Sequence, residues 1–262
     1  MTGTTAQTGT TTLDGRVAVV TGAGTGIGRA AALRFAQRGA AVVLAGRREA
    51  ELQAVAAEIG AAGGRAWVQP TDVSQESEIQ SLIENTVSRF GRLDAAFNNA
   101  GVMGTMAPIA DLSAADFDAV MTVNLRGVWL LIRAEVAAMR SLGQGGAIVN
   151  TSSFLSRAAT PGTSIYSASK AALDAMILAV ALDVGPDGIR INNVAPGAIQ
   201  TPMMEGTPPD VQAALAARAA LKRMGTPEDV GDVATWLCTD EARYVTGQSL
   251  LVDGGFTIAG PR

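Results

Sequence analysis

From Val17 almost to the last residues, short apolar runs alternate with longer segments of helical period, and no other feature restricts the fold so strongly. The runs at 17–20, 41–44, 66–68, 95–97, 147–149, 191–194 and 249–252 read as seven strands. Between them, 49–62 carries Leu52, Val55, Ala56 and Ile59 at helical spacing, and 76–90 carries Ile79, Leu82, Ile83 and Val87. Gly39, Gly63 and Gly91 fall where helix C-caps are expected. Ser113 and Asp116 have the spacing of a capping box opening a long helix that crosses Asn124. Such alternation predicts an α/β fold, a Rossmann-type doubly wound parallel sheet of seven strands with helices on both faces. Strands buried on both sides also account for a chain that is 48% hydrophobic. No linker or repeat interrupts the pattern, so 13–262 is expected to form one domain, preceded by a flexible tail at 1–12. In open sheets of this kind ligands sit outside the carboxyl ends of the strands, where the strand order reverses. The informative residues should therefore come just after strands.

Charge and composition narrow the function classes. A net charge of −4 offers no footprint for nucleic acid. The single cysteine, Cys238, closes no internal disulfide. The absence of histidine removes the commonest metal ligand and the commonest general base, so no metal site is expected. The first dozen residues lack the basic start and apolar stretch of a signal peptide. No apolar run reaches the ~18 residues of a membrane span; the best, at 175–182, is bounded by Asp174 and Asp183. The expectation is a soluble, cytoplasmic protein with no membrane partner.

Directly after the first run comes Thr21-Gly22-Ala23-Gly24-Thr25-Gly26-Ile27-Gly28, leading into an alanine-rich helix. Glycines here allow a tight turn and close backbone approach, and the helix N-terminus offers unpaired amides to a pyrophosphate. Gly22, Thr25, Gly26, Ile27 and Gly28 are thus candidate cofactor contacts. An ordinary glycine-rich turn is the plainer reading, but strand and helix flank this one. At the end of the second run, where an acid would bind a ribose 2′-hydroxyl, the chain reads Gly46-Arg47-Arg48. Two guanidiniums suit a 2′-phosphate, which favours NADP(H) over NAD(H). They can also simply solvate the start of the next helix, and Thr25 is not the basic residue that would strengthen the case. Asp72, with Val73 beside it, follows the third run and is set to meet the adenine or to cap the helix beyond.

Tyr166 and Lys170 stand four apart, on one face of a helix. The chain has only two lysines and two tyrosines, against eighteen arginines. An ammonium near a phenol lowers its pKa from ~10 towards working pH. Ser153, thirteen residues upstream and just past the fifth run, can hold a substrate oxygen beside that acid. Spacing alone suits equally a solvated lysine and a half-buried tyrosine.

Taken with TGAGTGIG at 21–28, NNAG at 98–101, Asn124-Leu125, PGAIQT at 196–201 and VDGG at 252–255, the set resembles the short-chain dehydrogenase/reductase family from Leu13 to about Phe256. The resemblance implies that Tyr166 exchanges a proton with a carbonyl or alcohol oxygen and Ser153 holds that oxygen. Lys170 would lower the tyrosine pKa and bind the nicotinamide ribose, and Asn124 would hold a water linking the lysine to solvent. Asn99, Ala100 and Gly101 would support the adenine-side ribose, with Asn98 serving packing. Pro196, Gly197, Ile199 and Thr201 would orient the nicotinamide carboxamide and a phosphate. The Gly46-Arg47 pair is the family's phosphorylated-cofactor pattern. A homotetramer is implied as well.

Beyond Thr201, Met203 and Met204 open a segment, running to Leu221, that reads as a mobile lid. With Leu155 and Ile165 they suggest an apolar pocket for a small ketone or secondary alcohol, although methionines fill cores as readily. A 3-oxoacyl-(acyl-carrier-protein) reductase ranks lower, because 171–188 carries only Asp174, Asp183 and Asp187 where an acidic carrier needs basic residues. An NAD-dependent alcohol or sugar dehydrogenase is a further alternative. A non-catalytic dinucleotide-binding protein would not need the Asn124, Ser153, Tyr166 and Lys170 set.

Overall fold

The computed structural model describes residues 12–258. The expected N-terminal tail, apart from Thr12, lies outside them. All seven predicted strands form: β1 (Val17–Thr21), β2 (Ala41–Gly46), β3 (Arg65–Pro70), β4 (Ala95–Asn98), β5 (Gly146–Thr151), β6 (Ile189–Pro196) and β7 (Ser249–Val252). They pair in parallel in the order β3-β2-β1-β4-β5-β6-β7. The order reverses between β1 and β4, which opens a crevice above their carboxyl ends.

The helices are α1 (Gly26–Gln37), α2 (Glu49–Ala61), α3 (Glu76–Phe90), α4 (Ala114–Met121), α5 (Val128–Leu142), α6 (Ser164–Val184), α7 (Pro209–Arg218) and α8 (Pro227–Leu237). Alternate residues of each strand feed opposite cores. Ala18 and Val20 of β1 join Phe35 of α1, Leu52 of α2 and Val230 of α8. Val17 and Val19 join Leu82 of α3, Leu131 of α5 and Leu173 of α6. The expected cap at Gly91 is realised in the left-handed conformation, φ 69°, where a side chain would be strained.

Two expectations need correction. The capping box forms, with Ser113 accepting from the Asp116 amide, but the long helix across Asn124 is interrupted. Thr122–Gly127 winds as a π-helix between α4 and α5. Such a turn takes in one extra residue, a feature common at functional sites. Gly127 lies so close to the Val73 carbonyl that an added Cβ would sit 2.5 Å from it. Second, the stretch Ser164–Asp187 is apolar and long enough, by length and hydropathy, to cross a membrane. Searching for an unbroken apolar run missed it because Lys170, Asp174 and Asp183 interrupt the stretch. In this fold it lies against the sheet, with Leu173, Ile177 and Val184 in the core.

A row of buried amides crosses the sheet. Asn98, Asn150 and Asn193 are register partners on β4, β5 and β6. The Asn98 amide donates to Asn150 and that of Asn150 to Asn193, each at 3.0 Å. Asn193 donates in turn to Asp174 and Ser249. At the other end Asn98 donates to Glu135 of α5, which is wholly buried.

Candidate active site

One cleft of about 620 Å³ runs along the carboxyl ends of the strands, from the glycine loop to Met203 and Met204. Every residue expected to bind cofactor or substrate lines it except Gly28 and Ile165, and the catalytic set lines it except Asn124.

At the nucleotide end, Gly22, Thr25, Gly26 and Ile27 form the wall where α1 begins. Thr25 flanks α1 without a side-chain cap, so the first-turn amides are left to a ligand. Gly28 sits behind the loop: a Cβ there would lie 2.1 Å from the Gly22 carbonyl oxygen. Its contribution is close packing of helix on strand. Thr21, which sequence reasoning passed over, pins the neighbouring loop by accepting from the Asn99 and Ala100 amides at 3.0 and 3.1 Å. Asn99 also reaches the Thr21 carbonyl and accepts from Thr151. These contacts fix Asn99, Ala100 and Gly101 across the switch point.

Arg47 and Arg48 differ. Arg48 pairs with Glu51 at 2.9 Å and reaches Thr25 Oγ1 at 3.4 Å. Arg47 lines the cleft with no ion pair among the described residues, its charge helping to hold Asp72 ionised. Asp72 and Val73 also line the cleft. Asp72 does not cap the helix beyond: Gln75 flanks α3, and the Asp72 carboxylate accepts from the Ser74 amide at 2.9 Å. That bond holds the carboxyl below its usual value. The glycine cradle, the uncapped helix start and the arginine at the β2 end together fit a dinucleotide phosphate chain.

At the other end β5 delivers Ser153 and α6 delivers Tyr166 and Lys170, all nine-tenths or more buried. Lys170 Nζ lies 5.7 Å from the Tyr166 ring centre and donates to the Thr151 carbonyl at 2.6 Å. Burial lowers the Lys170 ammonium to about 8, against the opposing charge of Asp174. Tyr166 departs from the sequence expectation. Burial pushes its phenol above the ordinary value, and the influence pulling it down is the Ser153 hydrogen bond. The lysine is not among the influences that shift it, and desolvation dominates.

Asn124 is fully buried on the π-helix. Its side chain accepts from the Val102 amide and donates to the Val102 carbonyl, both at 2.8 Å. Its Nδ2 also donates to Ser169 Oγ at 3.3 Å. Gly101 separates the two groups: a Cβ there would lie 3.2 Å from Asn124 Oδ1 and 3.6 Å from Lys170 Nζ.

Pro196, Gly197, Ile199 and Thr201 follow β6 into the cleft. Gly197 is pressed against Asp253, 2.7 Å from an added Cβ. Leu155, Met203 and Met204 line the far end, where the lid segment contributes a short turn and then α7. Sequence reasoning missed Met103, Met106, Thr160, Val211 and Leu215, which complete that end. Val211 and Leu215 stand four apart on α7, a spacing that was readable. Met103 and Met106 lie in an irregular loop whose course no local pattern indicates.

A family profile described as "Enoyl-(Acyl carrier protein) reductase" matches residues 22–257. The chain is 40% identical, over 94% of its length and 97% of the relative's, to an A-factor type gamma-butyrolactone 1'-reductase (1S-forming) of Streptomyces virginiae. It is 41% identical to cis-4-hydroxycyclohexanecarboxylate dehydrogenase of Sinomonas cyclohexanicum, covering 92% of this chain and 96% of that one. Among solved structures, a short-chain type dehydrogenase/reductase from Mycobacterium marinum superposes with a TM-score of 0.91 at 34% identity, over 95% of this chain and 98% of that one.

Proposed function

Because the chain belongs to the short-chain dehydrogenase/reductase family, a family of nicotinamide-dependent oxidoreductases, we propose that it interconverts a small, uncharged ketone and its secondary alcohol with NADP(H). The observation that carries this reading is the convergence of Ser153, Tyr166 and Lys170 at one end of the cleft whose other end is the glycine loop.

The glycine loop and α1 would hold the pyrophosphate, Arg47 the 2′-phosphate, and Pro196, Gly197, Ile199 and Thr201 the nicotinamide side. Bound there, the cofactor supplies or accepts the hydride. The protein's own share is proton handling and orientation. Ser153 Oγ holds the substrate oxygen, and Tyr166 Oη gives it a proton in reduction or takes one in oxidation. Lys170 supports the phenolate that forms and binds the ribose, while Asn124 fixes the loop at Val102 that backs it. Freeing Arg47 from ion pairing while Arg48 is held by Glu51 favours Arg47 as the phosphate's main partner.

Charged side chains line the cleft only at the nucleotide end and at Lys170. Beyond Tyr166 the walls are mainly Met103, Met106, Leu155, Met203, Val211 and Leu215, with Thr160, Thr163 and Thr207 as uncharged polar side chains among them. That composition favours an apolar, neutral substrate, since a buried unpaired charge would be costly. The test is NADPH oxidation with a panel of ketones that includes cyclohexanone, wild type beside Tyr166→Phe, with NADH in parallel. Loss of about 10²-fold or more with NADPH binding retained is expected; equal rates would sink the assignment.

A 37% identical relative, the 3-oxoacyl-(acyl-carrier-protein) reductase of Thermotoga maritima, gives a specific reason to keep a second reading, reduction of a 3-oxoacyl group on a carrier protein. Asp183 at the end of α6, where an acidic carrier would need basic residues, counts against it. A strong preference for the carrier-linked substrate over its free thioester would reverse the ranking. Exposed Trp129, Leu178 and Leu182 on α5 and α6 support a homotetramer, which a sizing measurement tests.

A further inference from the structure

We propose that Asp174 is a positioning residue: its carboxylate fastens the turn that carries Ser153 to the helix that carries Tyr166 and Lys170. The inference rests on the catalytic reading above.

Ser153 and Tyr166 belong to different elements, one to the turn after β5 and one to α6. A hydroxyl and a phenol that must meet one substrate oxygen need a fixed relation between those elements. Two backbone ties exist near the site, Lys170 Nζ to the Thr151 carbonyl at 2.6 Å and Ser152 Oγ to the Lys170 carbonyl at 3.3 Å. Asp174 makes the third. It lies one turn beyond Lys170 and two beyond Tyr166, behind the cleft wall rather than in it.

Its carboxylate gathers four elements. Ser156 Oγ, in the turn opened by Ser153, donates to Oδ2 at 2.6 Å. Asn193 of β6 and Ser249 of β7 donate to Oδ1 at 3.0 and 2.6 Å. Arg157 Nε stands 3.7 Å from Oδ2. Only 17% of the side chain is exposed. Burial alone would raise this carboxyl, yet the bonds from Ser156, Ser249, Ser152 and Asn193 bring it below its usual value. An ionised carboxylate accepting several hydroxyl and amide donors is a stiff joint, since each bond is charge-assisted. Substrate never touches it. Its bonds set where Ser153 stands relative to Tyr166, and its charge also raises the Lys170 ammonium; Ser156→Ala leaves that charge in place.

Ser156→Ala cuts the hydroxyl tie to the Ser153 turn and leaves the 3.7 Å approach of Arg157, and Asp174→Asn removes the charge that strengthens all of them. With cyclohexanone or the best ketone of the panel, each variant should lower kcat about tenfold, as a displacement of well under an ångström at a reacting pair can. NADPH dissociation, read by fluorescence, should stay within about twofold of wild type, because the nucleotide end is untouched. The double variant should be no slower than Asp174→Asn alone, since Ser156 acts only through the joint that Asp174→Asn has already weakened. Wild-type kcat in Ser156→Ala would overturn the proposal, as would losses that multiply in the double variant or that track weakened NADPH binding. Tyr166→Phe separates the two levels: an inactive Tyr166→Phe beside unaffected Ser156→Ala rejects the joint alone, whereas an active Tyr166→Phe rejects the catalytic reading itself.

Discussion

Glu135→Gln removes a titration from the middle of the molecule while keeping its shape. Glu135 is 0% exposed; Oε2 accepts from Asn98 Nδ2 at 3.0 Å, and Oε1 and Asn98 Oδ1 have no hydrogen-bond partner among the described residues. Burial raises this carboxyl from 4.5 to about 7, against the pull of the Asn98 amide. Well below pH 4.5 the group is neutral in the folded and the unfolded chain, and it does not make stability depend on pH. As pH rises through 4.5 the unfolded chain releases its proton first. The folded chain then binds more protons, and stability falls until pH passes about 7. Above that the carboxylate is charged in both states and the cost of burying it stays in full. At ~1.36 kcal/mol per pH unit the interval amounts to about 3 kcal/mol. The amide has no such titration, and its oxygen can keep the bond from Asn98 Nδ2. Urea unfolding followed by tryptophan fluorescence, repeated from pH 5 to pH 8 at fixed ionic strength, isolates the effect. The difference between variant and wild type cancels every other titrating group. It should grow from under about 1 kcal/mol at pH 5 to about 3 kcal/mol at pH 8. A difference that stays flat across that range refutes the reasoning, and one that grows in favour of wild type would mean the carboxylate is held charged.

Lys170→Met should trade activity for stability. The Lys170 pKa stands at about 8 when folded against 10.5 ordinarily, so below pH 8 its ammonium is charged in both states and the folded chain bears the desolvation cost. The variant should be about 3 kcal/mol more stable at pH 7, with the gain shrinking as pH rises from 8 to 10.5, and denaturant midpoints read it directly. Arg47→Ser should lower the ratio of kcat/KM for NADPH over NADH by about ten- to a hundredfold, the worth of a charge-assisted contact to a 2′-phosphate. An unchanged ratio would move that contact to Arg48.

The fold was legible because the parallel sheet is built from local pattern. Each strand is a short apolar run, each helix announces its apolar face, and Ser113 and Gly91 mark ends by chemistry that acts within a few residues. The cleft was legible where its walls follow strand ends, as with Gly22, Ser153 and Pro196. What escaped depends on contacts distant in sequence. The π-helix is fixed by the approach of Val73 to Gly127, fifty-four positions apart, and nothing in Thr122–Gly127 itself announces it. The Tyr166 pKa turned on how deeply the phenol is buried, which spacing to Lys170 cannot reveal. Asp174 read as one more acid of its helix and nothing marked Glu135, because their partners Asn193 and Asn98 come from strands distant in sequence.

The amide row has a consequence for how the chain finds its alignment. Strands that are apolar on both faces carry little to distinguish one offset from another, since valine beside alanine is nearly as good as valine beside valine. Asn98, Asn150 and Asn193 behave as index marks on neighbouring rulers. Sliding β5 by one residue against β4 would set Asn150 beside Phe97 in place of its partner and strand a side-chain amide in a dry interior. Each misplaced mark costs about 1–3 kcal/mol, and a single slip spoils the marks on both sides of the strand. The same three residues therefore act as a vernier for the half of the sheet that must bring Thr151, Ser153 and Pro196 to one level above the crevice.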